Sequence, residues 1–396
     1  MSPQSENAGC RPSGSDAPEK REVRVGFMPL TDCASLVMAA HMGFDEKYGI
    51  KIVPCKEASW AAVRDKVVSG RLDAAHVLYG LVYGVQLGIG GLQKDMAVLM
   101  SINQNGQGIT LSSQLRQAGV TDGASLARLV AAQARTYTFA QTFPTGTHAM
   151  WLYYWLASFG IDPLRDLRII TVPPPQMVST MRQGKMDGCC VGEPWNNRAI
   201  IDGIGFSAAT SQEIWADHPE KVLGSTAAWA EQYPNTARAL VAALLDASRW
   251  IDAAAVNKQK AAEIIAGPAY INTDPEVIVA RMLGRYQNGL GKVWDDRKCM
   301  KFFADGAVNF PYLSDGMWFM TQHKRWGMLD QDPDYLAVAQ AVNRIDIYRD
   351  AAAQAGVDLP ASAMRSATLI DGVVWDGSKP KDYAASFAVH AQNEFV

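Results

Sequence analysis

The sequence offers little that would tie it to a membrane, a disulfide framework or a nucleic acid. Apolar runs such as Trp151 to Phe159 and Ala237 to Leu245 fall well short of the roughly 20 residues a bilayer-crossing helix needs. Cysteine is scarce: six in 396 residues, at 10, 33, 55, 189, 190 and 299, with no CxxC pair. Cys189 and Cys190 are adjacent, a poor geometry for an ordinary disulfide or a zinc site. The cysteines read as small buried hydrophobes in a reducing compartment. A net charge of −3 leaves no electrostatic footprint for direct DNA or RNA binding. Six scattered histidines suggest no metal centre. No P-loop, HExxH, GxSxG or Gly-rich dinucleotide fingerprint occurs, so neither enzymatic activity nor a cofactor is expected. Gly88-Ile89-Gly90-Gly91 is a turn signal without phosphate-loop spacing.

What is present is alternation. Residues 1–21 are rich in Ser, Pro, Gly and charge and read as a disordered tail. From there Val23 to Phe27 reads as a strand, Cys33 to Lys47 as a helix and Lys51 to Val53 as a strand. Ser59 to Ser69 follows as a helix and Asp73 to Val77 as a strand. A second such unit runs through Arg135 to Phe139, Thr147 to Phe159, Leu167 to Thr171, Pro175 to Gln183 and Gly188 to Val191. Repeated β-α-β spacing implies parallel sheets covered by helices, hence an α/β protein of two lobes. The extended segments Met96 to Ser101 and Gln107 to Leu111 carry the chain across, and a return near Val222 to Thr226 completes a hinge. The expected division is 22–132 plus 229–396 for the first lobe and 133–228 for the second. The last third is predicted to be mainly helical, over Asn235 to Ala254, Lys258 to Ile265 and Asp274 to Tyr286.

Open parallel sheets bind ligands beyond the carboxyl ends of their strands. There, helix N-termini offer unpaired N–H groups and partial positive charge, which suit small anions. Four residues occupy such loops. Trp60, in KEASW, carries an indole N–H that can only donate and a ring that can wall a pocket. Gln107, in NQNGQGITLS, has an amide donor between Gly106 and Gly108, which let the backbone approach. His148 follows TFPTGT at a strand-to-helix junction. Lys221, in ADHPEKVLG near the return crossing, would supply one positive charge among neutral donors. Each also has a blander reading: a core tryptophan, a turn glutamine, a structural histidine and a surface lysine.

Long blocks around these residues resemble the nitrate/bicarbonate-binding family of type II solute-binding proteins. The blocks are PLTDCASLVMAAHMGFDEKYGI, KEASWAAVRDK, LDAAHVLYGLVYGVQLGIGGLQKDMAVLMSINQNGQGITLS, TFPTGTHAMWLYYWLASFGIDP, PPPQMVSTMRQGKMDG, VGEPWNN and HPEKVLG. They span Val23 to about Thr226, with weaker likeness beyond. The resemblance implies a two-lobe periplasmic-binding-protein fold of the second type, with a hinge, a central cleft and a helical C-terminal part. It implies a single oxyanion, nitrate or nitrite, held by Trp60, Gln107, His148 and Lys221, with wall and backbone contacts from Gly146, Pro174, Val191 and Gly192. Bicarbonate-binding relatives have a more acidic arrangement where this chain has Lys221, so the lysine favours nitrate or nitrite, and no calcium is implied.

The family contains exported receptors that serve membrane permeases and a cytoplasmic nitrate/nitrite sensor. The sensor sequesters an ANTAR-domain, RNA-binding antiterminator until anion arrives. Export needs an apolar stretch of about 7 to 15 residues near the start, and Met1 to Gly9 contains none. Ala8-Gly9-Cys10 matches the last letters of a lipidation signal, but the hydrophobic segment before it is missing. The expectation is therefore the cytoplasmic sensor, with an antiterminator partner and no membrane contact. The alternative is the substrate-binding component of a nitrate ABC transporter.

Overall fold

The computed structural model describes residues 16–391; Cys10 and the tail ahead of residue 16 lie outside the described residues. Two five-stranded sheets organise the chain. The first holds β1 (Glu22–Phe27), β2 (Lys51–Lys56), β3 (Ala74–Leu78) and β4 (Met96–Ser101). The second holds β5 (Gln107–Ser112), β6 (Tyr137–Gln141), β7 (Leu167–Thr171), β8 (Gly188–Gly192) and β9 (Gly205–Thr210). The chain then returns to the first sheet as β10 (Lys221–Thr226).

The strand orders, β2-β1-β3-β10-β4 and β7-β6-β8-β5-β9, repeat one plan. In each sheet three strands run parallel, as β-α-β units require. In each, the strand arriving from the other sheet inserts antiparallel: β10 between β3 and β4, and β5 between β8 and β9. The sheets are thus mixed rather than purely parallel, and two crossings join them, around residues 102–106 and 211–220. Gln107–Ser112, expected with the first lobe, belongs to the second sheet, because its backbone pairs with β8 from Gln107↔Gly192 to Leu111↔Gly188.

Local chemistry sets the elements. The helical run expected over Cys33 to Lys47 breaks at Gly43, whose φ of +74° ends one helix (Ala34–His41) before a short one (Phe44–Lys47). Ser59 caps the helix Trp60–Val68 by accepting from the Ala62 N–H at 3.2 Å. The helix Thr147–Ser158 is buried over its first ten residues and stops at Gly160, at φ +77°. Such all-round burial marks a helix packed on every side, and Trp151 stacks on Trp318 at 4.8 Å.

Two expectations need correction. Residues 16–21 are docked, not a free tail. The Glu19 carboxylate accepts from the N–H groups of Asn235 and Thr236 at 3.0 and 2.8 Å, satisfying orphan donors at the start of the helix Pro234–Ala253. The segment Asp274 to Tyr286 is helical only over Pro275–Met282, after which Arg285–Gln287 pairs with Val293–Asp295 as a hairpin. This last third straps both lobes. Asn197 Nδ2 donates to the Val277 carbonyl at 2.8 Å, and Arg365 donates to the Asp217 carbonyl at 3.1 Å.

Candidate functional site

The carboxyl ends of β1 and β3 face the loops that lead into β5 and the helix Thr147–Ser158, and a buried polar cluster fills the meeting place. Lys221 opens β10 and is completely buried. Its ammonium donates to Asp32 Oδ2 at 2.8 Å and Glu220 Oε1 at 2.7 Å, and it lies 5.7 Å from the Trp60 ring centroid. Asp32, in the turn after β1, also binds His76 Nε2 at 2.6 Å. Glu220 Oε2 accepts from the Trp151 indole at 2.9 Å, and its Oε1 lies 3.7 Å from His148 Nε2.

On the second lobe the groups are neutral. His148 Nε2 meets Gln107 Oε1 at 2.7 Å, and its Nδ1 meets Thr142 Oγ1 at 2.5 Å. Burial, reinforced by Lys221, holds this imidazole well below its ordinary pKa, so it is neutral. The neutral tautomer that fits donates from Nε2 to Gln107 and accepts at Nδ1 from Thr142. The Gln107 N–H donates to Ser211 Oγ at 3.1 Å, and Ser211 in turn meets His218 Nε2 at 2.7 Å. His218 is oriented by the Pro219 carbonyl at 2.9 Å. This Ser–His contact positions the backbone of Gln107.

The charges on the first lobe are settled among themselves. Burial raises the Asp32 carboxyl, but Lys221 and His76 outweigh it and hold the group well below the usual carboxylate range. Burial likewise works against the Lys221 ammonium, and Asp32 and Glu220 more than restore it. Glu220 is the exception: burial dominates and its pKa is raised. The lysine is therefore not a lone charge among neutral donors, as the sequence suggested, but one cation held by two carboxylates. Asp32, His76 and Glu220 went unnoticed at the sequence level. A hint lay in the position of Asp32 in the turn that follows β1, and none lay in Glu220, since Glu-Lys in a loop reads as solvated surface.

Around this cluster several buried polar atoms have no hydrogen-bond partner among the described residues: Trp60 Nε1, Gln107 Nε2, Thr31 Oγ1, Thr147 Oγ1 and His76 Nδ1. Thr147 is the first residue of its helix, and Gly146 ahead of it provides no side-chain cap. An unsatisfied buried donor is costly, and a group of them beside a helix N-terminus complements a small acceptor-only ligand. Gly192 stands opposite Gln107, where a Cβ would lie 2.9 Å from Gln107 Oε1 and 3.1 Å from Leu30 Cδ2. Gly146 would bring a Cβ within 2.5 Å of Leu78 Cδ1. Val191 is buried beside Gly192, and its carbonyl accepts from Asn196 at 2.6 Å. Pro174 is buried in the 3-10 turn after β7, and among the described residues no hydrogen bond or ion pair ties it to the cluster. Asp32, His76 and Glu220 are metal-ligand types. Among the described residues, however, no group of three or more such side chains gathers in metal-holding geometry.

The lobes meet directly beside the cluster. The Thr31 N–H donates to the Glu193 carbonyl at 2.8 Å, and the Trp195 indole donates to the Pro29 carbonyl at 3.0 Å.

Comparison with known proteins locates this arrangement. The chain is 37% identical over 389 residues to the nitrate/nitrite binding protein NrtA of Synechocystis sp., covering 95% of this chain and 87% of that one. It is 39% identical to NrtA of Synechococcus elongatus, covering 94% and 87%. The crystal structure of the periplasmic nitrate-binding protein NrtA from Synechocystis superposes with a TM-score of 0.90 at 36% identity, covering 94% of this chain and all of that one. These relatives are described as binding proteins, in agreement with the expectation that the chain is not an enzyme. They overturn the expectation of a cytoplasmic sensor that sequesters an antiterminator. Near-full-length likeness runs to nitrate-binding proteins, one of them periplasmic by its own description, and the scarcity of cysteine and lack of an early apolar stretch do not outweigh it. The family model that matches residues 16–266 is the NMT1-like family, and the chain belongs to that family, with the type II periplasmic-binding-protein fold.

Proposed function

We propose that this chain is the nitrate- and nitrite-binding component of an ABC importer, delivering one oxyanion from the periplasm to a membrane permease. The observation that carries the reading is the set of buried, unpartnered donors beside the helix starting at Thr147. Trp60 Nε1, Gln107 Nε2 and Thr147 Oγ1 can all donate, and a planar oxyanion offers acceptors on every edge. In this reading Trp60, Gln107, His148 and Lys221 line the anion site, with the Lys221 ammonium already paired to Asp32 and Glu220. Gly146, Pro174, Val191 and Gly192 form the wall, with glycines where a Cβ would intrude. The anion binds across the lobes and stabilises the closed form, which is the signal a permease reads. Kinship with the NrtA proteins supports nitrate over other anions.

Titration calorimetry with potassium nitrate, potassium nitrite and sodium bicarbonate tests this. One nitrate or nitrite per chain is expected. Tight bicarbonate binding without nitrate binding would overturn the assignment.

A further inference from the structure

The charges of the first-lobe half leave a question for any anion that binds there. Lys221 is met by both Asp32 and Glu220, and burial lowers the pKa of His76, the other partner of Asp32, so with both carboxylates ionised and His76 neutral the buried group carries a net negative charge. An anion entering the same dry site adds a second negative charge that solvent cannot screen. One of the carboxylates must yield or the anion is repelled. Each oxygen of both carboxylates is engaged, those of Asp32 by Lys221 and His76 and those of Glu220 by Lys221 and the uncharged Trp151 indole, so position relative to the donors separates the two. Glu220 sits nearer the neutral donors, with its Oε1 3.7 Å from His148 Nε2.

We infer that anion binding at this site is coupled to the uptake of one proton by Glu220, so that the protein takes up an anion and a proton together. The proton comes from bulk solvent and adds to Glu220 Oε1, giving a neutral carboxylic acid beside the anion, and no other bond forms or breaks. Protonation also turns an acceptor into an O–H donor on the side of the site that faces His148. Burial already raises the affinity of Glu220 for a proton, the direction that proton uptake requires.

The groups that face Glu220 are few. They are Lys221 and Asp32 on the first lobe, His148 and Trp151 on the helix Thr147–Ser158, His218 at 3.9 Å on the return crossing, and the Cys190 thiol on β8. His148 and His218 are held neutral by burial, His218 down to about 3, and burial pushes the Cys190 thiol up. None of these competes for the proton near neutral pH.

This inference rests on the anion-site reading, and one experiment separates the two. Potassium nitrate is titrated into the protein by calorimetry in PIPES, HEPES and Tris, which differ in ionisation enthalpy. The heat should vary with buffer by an amount equal to about one proton taken up per nitrate, and affinity should weaken about tenfold per pH unit above the titration of Glu220. In Glu220→Gln the buffer dependence should vanish. An infrared difference spectrum of the unaltered protein on nitrate addition provides a second readout, in which a carboxylic-acid carbonyl band should appear as carboxylate bands fade. Nitrate binding with buffer-independent heat and no such band overturns the inference alone. Proton uptake that persists in Glu220→Gln overturns the assignment to Glu220. Absence of nitrate binding in every buffer overturns the anion reading and the inference with it.

Discussion

The two halves of the site solve the problem of burying polar groups in opposite ways. The first-lobe half, Asp32, His76, Glu220 and Lys221, pairs its charges with one another. The second-lobe half, Gln107, His148 and Thr147, contains no ionised group and leaves donors unpaired. A buried ion pair contributes little net stability but is very costly to break, whereas an unpaired neutral donor is a standing cost that a ligand can relieve. In the proposed reading the charged half therefore maintains the site, and the neutral half recognises what enters it.

Breaking the charged half should have the largest effect. Lys221→Met leaves Asp32 and Glu220 buried without their cation, which should cost about 3–5 kcal/mol of stability. Urea unfolding measures it. A variant as stable as the parent would show that the lysine is not structurally engaged. Lys221→Glu, the obvious charge reversal, would place three carboxylates together and report on folding before it reports on binding.

The neutral half depends on histidines that stay uncharged. His323, on the helix Leu313–Arg325, is buried and reaches the Thr145 carbonyl at 3.0 Å, just ahead of Gly146. Burial lowers its pKa to about 4. The unfolded chain takes up this proton below about 6.5 while the folded chain refuses it, so stability from this group is lost as pH falls from about 6.5 to about 4. His323→Asn should remove that dependence. The stability difference between parent and variant should change by about 1.4 kcal/mol per pH unit inside the window, measured by unfolding at several pH values. A constant difference would mean that the histidine titrates in the fold as it does in the unfolded chain.

Much of this contrast was legible in the sequence, and the part that was not has a physical reason. Trp60, Gln107 and His148 stand at strand ends and helix starts, where β-α-β spacing points to a ligand rim, and local pattern suffices to place them at the buried cluster. Asp32, His76 and Glu220 act through partners far away in the chain: Asp32 bonds Lys221 across 189 residues and His76 across 44. Nothing local distinguishes a buried carboxylate from a solvated one. The same limit explains β5, whose extended character was evident while its sheet was not, because pairing with β8 is a long-range choice. It also explains Glu19, whose capping of a helix at Pro234 cannot be read from a polar terminal stretch.

Sharpening the contrast calls for a change confined to recognition. Gln107→Leu removes the unpaired Nε2 donor and the acceptor of His148 while keeping similar volume. Losing a hydrogen bond to a charged ligand costs about 1.5–3 kcal/mol, so nitrate affinity should drop by roughly ten- to a hundredfold. Calorimetry gives the affinity and thermal unfolding the stability. If stability falls by as much as binding does, Gln107 belongs with the structural half.

The smallest effect is expected where the halves touch rather than inside either one. The Trp195 indole donates to the Pro29 carbonyl across the lobes at 3.0 Å, and this bond exists only while they are closed together. Trp195→Phe keeps the ring packing and deletes the donor, which should cost the closed form about 1 kcal/mol. No group that meets the anion is altered, so intrinsic affinity is unchanged and only the population of the competent form falls. Apparent affinity scales with that population, so the dissociation constant should rise by at most about fivefold. Small-angle scattering without nitrate should show a more extended average shape that saturating nitrate restores. A loss of affinity without any change in shape would mean that Trp195 acts on the site itself, and that the boundary between the maintaining half and the recognising half lies on the second lobe.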